Sequence, residues 1–124
     1  MFNLKMYSYQ LPTKLPKELS SVPEPAPIKS GKIVPDLLIE ELETAENINN
    51  GTIRNVIKLI KARDNFGRQK YGQPLMTKDG RNSIEDAKQE FGDLLQYVYK
   101  ARLNNEDVSS IRKMMTVLHY VLRA

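Results

Sequence analysis

The sequence predicts an all-α fold, in which a small bundle of four helices follows an extended, proline-rich arm. Apolar side chains recur at helical spacing after residue 35, and six of the seven prolines lie before residue 36. With 124 residues, 27% of them charged and 40% hydrophobic, the chain suits one globular domain. We therefore divide it into an arm, residues 1–35, and a helical domain, residues 36–124.

The arm is extended because its prolines fix φ and remove backbone donors, which excludes a regular helix or a central strand. It holds five lysines and two glutamates, a net charge of +3, against +4 for the whole chain. The helical domain is thus nearly neutral, which argues against a nucleic-acid-binding domain. Alternating apolar residues lead us to expect the arm to lie on a protein partner or on this chain's own body. These residues are Phe2, Leu4, Met6, Tyr7, Tyr9 and Leu11.

Two helices are predicted before the central loop. Asp36 is the expected N-cap of the first, which ends before Gly51, and the second starts near Thr52. The second should end before Gly67 or Gly72, because glycine favours helix ends. The apolar positions are Leu38, Leu42 and Ala45 in the first helix, and Ile53, Val56, Ile57 and Ile60 in the second.

Two further helices follow a loop over residues 71–82, which contains two glycines and a proline. Ser83 and Asp86 predict a capping box for the third helix, and Ser109 or Ser110 is expected to cap the fourth. The apolar stripe of the third helix is Ile84, Ala87, Phe91, Leu94, Leu95 and Val98. That of the fourth is Ile111, Met114, Met115, Leu118, Val121 and Leu122.

Composition limits the chemistry that the chain can perform. There is no cysteine, and His119 is the sole histidine, which excludes thiolate chemistry and argues against zinc sites and Ser-His-Asp triads. A metal site would use oxygen ligands, which suits magnesium. No apolar run is long enough to span a membrane, and the N-terminus lacks a signal-peptide pattern. We expect a cytoplasmic protein, in the host cytoplasm or in the virion if the chain is viral.

The most informative motifs lie within residues 59–103. They are Ala62-Arg63, Lys70-Tyr71-Gly72, and the helical run Glu90-Phe91-Gly92-Asp93-Leu94-Leu95, followed by Tyr97. In these motifs the chain resembles the MazG-like all-α nucleoside triphosphate pyrophosphohydrolases, and especially a group of small phage proteins related to them. The resemblance covers a little over a third of the chain.

The resemblance implies magnesium-dependent hydrolysis of a nucleoside triphosphate to a monophosphate and pyrophosphate, in a homo-oligomer. Glu90 and Asp93 match the ExxD motif that is catalytic and binds metal in that superfamily. The ExxE partner would come from Glu40, Glu43 and Glu46. Acids three residues apart share one face of a helix, so two such helices form an oxygen cage for magnesium. Lys70, Tyr71 and Arg81 are candidates for binding the nucleotide and its phosphates.

Two alternatives to an enzyme stay open. Glu90 lies roughly 90° and Asp93 roughly 150° around the third helix from the centre of its apolar stripe. With Asp86 and Tyr97, these two acids form a stripe of their own, which we call the acidic stripe. This stripe is either a solvated surface or one wall of a cleft. With a solvated stripe, the chain is a non-catalytic structural protein, viral in origin, that its arm anchors in a larger assembly. A protein that binds a nucleotide and sequesters it is the other alternative.

Overall fold

The structure, a computed structural model, describes residues 25–123 and contains four helices in that range. They are α1 (Val34–Glu43), α2 (Asn50–Tyr71), α3 (Ser83–Leu103) and α4 (Ser109–Leu122). The predicted all-α class is confirmed. The predictions for Phe2, Leu4, Met6, Tyr7, Tyr9 and Leu11 lie outside the described residues.

The hydrophobic core lies where α1 and α4 pack against α2. Its buried side chains are Leu42 from α1, Ile53 from α2 and Val117 from α4. Half-buried apolar residues surround them, and Tyr120 is the one aromatic residue among these. In the described part of the chain, α3 contributes no buried residue to this core and makes only marginal contact with the other helices. Within the same range, no helix is both long and apolar enough to cross a membrane.

The ends of α1 and α2 differ from the predicted ends. Helix α1 begins at Val34, because Pro35 already has the φ that the first turn of a helix needs, so Asp36 lies in that turn and is not the N-cap. Helix α2 begins at Asn50, and Asn49 is its N-cap, because the Asn49 side chain accepts a hydrogen bond from the backbone N–H of Thr52 at 3.1 Å. It then continues through Gly67 and ends at Gly72, the second of the two predicted ends, where φ is +74°.

The predicted caps of α3 and α4 are wrong. Asn82 caps α3, since its side chain accepts hydrogen bonds from the backbone N–H groups of Ile84 and Glu85, both at 3.1 Å. Before α4, Asp107 accepts the backbone N–H of Ser109 at 2.9 Å, and this bond lowers the pKa of the Asp107 carboxyl. In both places a side-chain carbonyl or carboxylate oxygen one or two residues upstream replaces the expected serine hydroxyl.

The α4 stripe predicted from periodicity is covered only in part. Its members Ile111, Met114 and Met115 are half-buried, and Leu118, Val121 and Leu122 are exposed. The residues of α4 that pack in the core are Val117 and Tyr120, which the prediction did not include. Helix α4 is also tied to α1 by an ion pair between Arg123 and Glu41, which raises the pKa of the Arg123 guanidinium.

The last part of the predicted arm lies on this chain's own body. Residues 25–33, which we call the strap, run antiparallel to residues 75–79 of the central loop. Backbone hydrogen bonds join Ile28 to Asp79 at 2.9 Å, Lys78 to Ser30 at 3.0 Å, and Thr77 to Lys32 at 2.9 Å. This pairing holds the loop between α2 and α3 in one conformation.

Gly31 allows the strap to approach the loop. Its φ is +93°, and a Cβ atom there would lie 2.2 Å from Oγ1 of Thr77 and 3.0 Å from the backbone nitrogen of Lys78. Only glycine fits both the conformation and the space.

We predict that Gly31→Ala detaches the strap, because the strain and clash together cost roughly 1–3 kcal/mol. The backbone amides of Thr77 and Lys78 should then exchange with deuterium faster than in the wild type. The matched control is Gly67→Ala, since no atom lies within 4 Å of the added methyl group. That change should stabilise α2 by up to about 1 kcal/mol. Unchanged exchange at both amides in Gly31→Ala would contradict the strap as described.

Candidate functional site

A cleft of about 650 Å³ lies between α2, the central loop and the N-terminal half of α3. Its volume is in the range of small-molecule sites. The apolar part of its lining, which we call the floor, comes from α1, α2 and the loop, and charged or polar side chains line the rest. The apolar set includes Leu38, Leu59, Ile60, Pro74 and Leu75, and the polar set is Arg63, Asp64, Tyr71, Gln73, Asp79, Arg81, Asp86, Gln89 and Glu90.

Helix α2 contributes one wall through residues spaced three or four apart, which share a face of the helix. Arg63 lies over the ring of Phe66, with 4.6 Å between the guanidinium carbon and the ring centroid. Asp64 accepts two hydrogen bonds from Nε of Arg68, at 3.0 and 3.1 Å. This wall therefore carries one acid that is already paired and a cation, Arg63, that borders the cleft.

Arg81 connects the loop, α3 and the strap. Its Nε and Nη2 atoms donate to the two carboxylate oxygens of Asp86 at 3.1 and 3.0 Å, and Nη1 donates to the carbonyl oxygen of Pro25 at 3.2 Å. A planar guanidinium is suited to this forked arrangement, and a lysine is not. Arg81 thus fixes the start of α3 against the loop, and we call this set of contacts the Arg81 junction.

Asp79 stabilises the loop from within. The residue is 6% exposed, and its Oδ1 atom accepts the backbone N–H of Arg81 at 3.1 Å. Its Oδ2 atom is buried and has no hydrogen-bond partner in the described part of the chain. The carboxylate therefore holds the turn that presents Arg81 to Asp86.

Helix α3 turns its acidic stripe toward the cleft. Asp86, Gln89 and Glu90 border the cleft, and of these only Asp86 is half-buried. Phe91 and Leu95, on the other side of the helix, are 51% and 54% exposed. The acidic stripe therefore borders the cleft only as far as Glu90.

The predicted nucleotide-binding residues are divided between the cleft and its surroundings. Tyr71 and Arg81 border the cleft. Lys70 is not on its lining, and its Nζ atom lies 5.2 Å from the centroid of the Tyr71 ring.

Of the predicted catalytic and metal-binding acids, Glu90 borders the cleft and Asp93 lies one turn further along α3, outside its lining. Glu40 and Glu43 are exposed on α1, and Glu46 lines a separate concavity with His119, Tyr120 and Arg123. Within residues 25–123, no three histidine, aspartate or glutamate side chains are grouped so as to hold a metal ion. The two-motif metal cage stays a prediction.

Sequence reasoning did not single out several residues of the cleft. Asp64 is the one acid in α2 and belongs to none of the motifs, and Asp86 is predicted only as part of a cap and of the acidic stripe. Gln89 carried no signal at all. Asp86 lies four residues before Glu90 and five residues after Arg81. This spacing is the signal that could have placed Asp86 beside Glu90 on α3 and paired it with Arg81.

Comparisons of the chain with protein-family models, with curated proteins and with solved structures give no significant match.

We predict that Arg81→Lys destabilises the protein by about 1–2 kcal/mol, because a lysine cannot replace the forked contacts with Asp86 and the contact with Pro25. Urea denaturation measures the loss. The control is Arg68→Lys, which weakens the pair with Asp64 within one helix, where the arginine is more exposed than Arg81, and should cost less than about 0.5 kcal/mol. Equal losses in the two variants would contradict a special role for the Arg81 junction.

Proposed function

We propose that this chain is a magnesium-dependent nucleoside triphosphate pyrophosphohydrolase of the MazG-like type, with the cleft as its nucleotide site. One observation carries the proposal. Arg63 and Tyr71, from two motifs eight residues apart on α2, border the same cleft as Glu90, from the ExxD motif on α3. A solvated acidic stripe would give no reason for the α2 motifs and the α3 motif to meet.

The lining of the cleft suits the parts of a nucleotide. An apolar floor with Leu59, Ile60 and Leu75 accommodates a base, and the ring of Tyr71 offers a surface for stacking. Arg63, on the same α2 wall, provides a guanidinium for phosphate oxygens. Arg81 acts by holding the site together, since its guanidinium binds Asp86 and Pro25.

Magnesium fits the donor set, which consists of oxygen atoms. Asp64 and Asp86 are paired with arginines, so Glu90 is the carboxylate best placed to bind a cation, with Asp93 beside it on α3. Magnesium commonly uses one or two protein carboxylates together with substrate phosphates and water. When bound, it would polarise a phosphate and activate a water for attack. A homo-oligomer and a cytoplasmic location belong to the same proposal.

A nucleotide-binding protein without turnover is the second candidate. The observation that favours it is the pairing of two acids at the cleft with arginines, Asp64 with Arg68 and Asp86 with Arg81. Paired carboxylates hold the walls in place but are poor cation ligands. Such a protein would bind the nucleotide through the same floor and the same Arg63.

We predict that the purified protein, with magnesium, releases pyrophosphate from at least one nucleoside or deoxynucleoside triphosphate. Glu90→Gln should reduce this rate at least about 100-fold, because the amide keeps the shape and loses the charge that binds the cation. Glu106→Gln is the control, since Glu106 is exposed between α3 and α4 and should have no effect.

Three results of this assay separate the candidates. Turnover that Glu90→Gln abolishes supports the hydrolase. Absence of turnover with every triphosphate, together with binding measured by calorimetry, assigns the sequestering role. Neither turnover nor binding would contradict both and leave a structural protein that its arm anchors in an assembly.

A further inference from the structure

Helix α3 presents an uncovered apolar face, which we define as Ile84, Phe91, Leu95 and Tyr99. Their exposed fractions are 65%, 51%, 54% and 57%. At about 100° per residue, the four side chains fall within roughly 80° of the helix circumference. Lys88 lies in the same sector, between Ile84 and Phe91, so the apolar part is continuous from Phe91 to Tyr99. Large apolar side chains exposed together in this way mark interaction sites.

Within residues 25–123, this face lies on the side of α3 opposite Asp86. Asp86, which borders the cleft, lies about 140–180° around the helix from Ile84, Phe91 and Leu95. Helix α3 has no buried residue and makes only marginal contact with the other helices of residues 25–123. Asp86, Leu94 and Val98 are half-buried, whereas the four side chains of the apolar face are exposed among the described residues.

The charges of α3 are divided between its two halves. Residues 83–93 hold four acids and one lysine, a net charge of −3, and residues 94–103 hold one lysine and one arginine, a net charge of +2. Two such helices side by side in parallel would place like charges together. In the antiparallel orientation the acidic half of each lies along the basic half of the other, and the helix dipoles are also opposed.

We infer that the apolar face of α3 is a self-association surface, on which the α3 helix of a second copy of this chain packs in the antiparallel orientation. A two-fold axis near residue 93 brings Phe91 of each copy against Leu95 of the other, and brings Arg102 of the second copy alongside Ile84 and Glu85. Contacts of this kind are self-complementary, as a two-fold dimer requires.

The area of the face is sufficient for a dimer. The four side chains expose roughly 500 Å² in each copy, so that pairing them buries roughly 1,000 Å² in total, the lower limit of a specific interface. The inference does not rest on the proposed hydrolase activity, because the face lies on the opposite side of α3 from the cleft. An inactive protein would still dimerise.

The first experiment measures the mass of the particle by sedimentation equilibrium at micromolar concentration. The wild-type chain should be a dimer, and Phe91→Glu should be a monomer with unchanged helical circular dichroism. The matched control is Phe66→Glu, because Phe66 on α2 has the same exposed fraction, 51%, and lies outside the face. It should remain a dimer. If Phe91→Glu fails to fold, Leu95→Glu tests the same face.

A second experiment tests the orientation with cysteines, which the natural chain lacks. In an antiparallel pair, residue 88 of one copy lies level with residue 99 of the other. The double variant Lys88→Cys, Tyr99→Cys should therefore form intermolecular disulfides under mild oxidation. Neither single variant should, because each pair of identical residues lies about 16 Å apart along the axis.

Several results would overturn the inference. A wild-type monomer would do so, as would a dimer that Phe66→Glu dissociates and Phe91→Glu does not. Cross-linking of the single variants would show a parallel pair. A monomer that binds a hydrophobic dye only after removal of residues 1–24 would assign the face to the N-terminal segment of the same chain.

Discussion

The Arg81 junction determines how α3 sits on the rest of the chain. One guanidinium binds both carboxylate oxygens of Asp86 on α3 and the carbonyl of Pro25 in the strap. Because α3 makes only marginal contact with the other described helices, these charged hydrogen bonds are the main link between its first turn and the body. They hold Asp86 at the cleft, which Glu90 also borders, and leave Phe91 and Leu95 exposed.

This orientation reverses the usual arrangement of an amphipathic helix. A surface helix normally buries its apolar stripe and exposes its charges. Here Asp86 borders the cleft while Phe91 and Leu95 are exposed, and within residues 25–123 the core of α1, α2 and α4 has only three buried apolar side chains. A core of this size gives a small domain little stability. The polar cleft on one side of α3 and the exposed apolar face on the other follow from the same orientation.

The positions of the helices could be predicted from the sequence, but their faces could not. Periodicity located α2 and α3 because their apolar residues recur regularly, yet caps such as Asn82 depend on side-chain geometry that spacing does not reveal. The outward face of Phe91 was not predictable, because periodicity identifies a stripe and not what it contacts. In α4 the same limit led the prediction to omit Val117, which is buried, and to include Leu122, which is exposed.

The candidate site was predictable in part. Tyr71, Arg81 and Glu90 were identified from motifs, and all three border the cleft. Gln89 was not, because its place at the cleft depends on where the loop puts α3, and Asp64 was not, because it belongs to none of the motifs. The position of the loop depends on its pairing with the strap. The strap can approach the loop because Gly31 lies against Thr77, which is 46 positions away in the sequence.

The central claim is that α3 faces its own body with acids and a second copy with apolar side chains. The distance between spin labels at residue 103 of the two copies, measured by double electron–electron resonance, tests it most directly. An antiparallel pair centred near residue 93 separates the two labels by about 30 Å, since each residue adds about 1.5 Å along a helix. A distance near that value is the predicted result. No dipolar coupling, or a distance of about 10–15 Å expected from a parallel pair with helix axes 8–10 Å apart, would contradict the account.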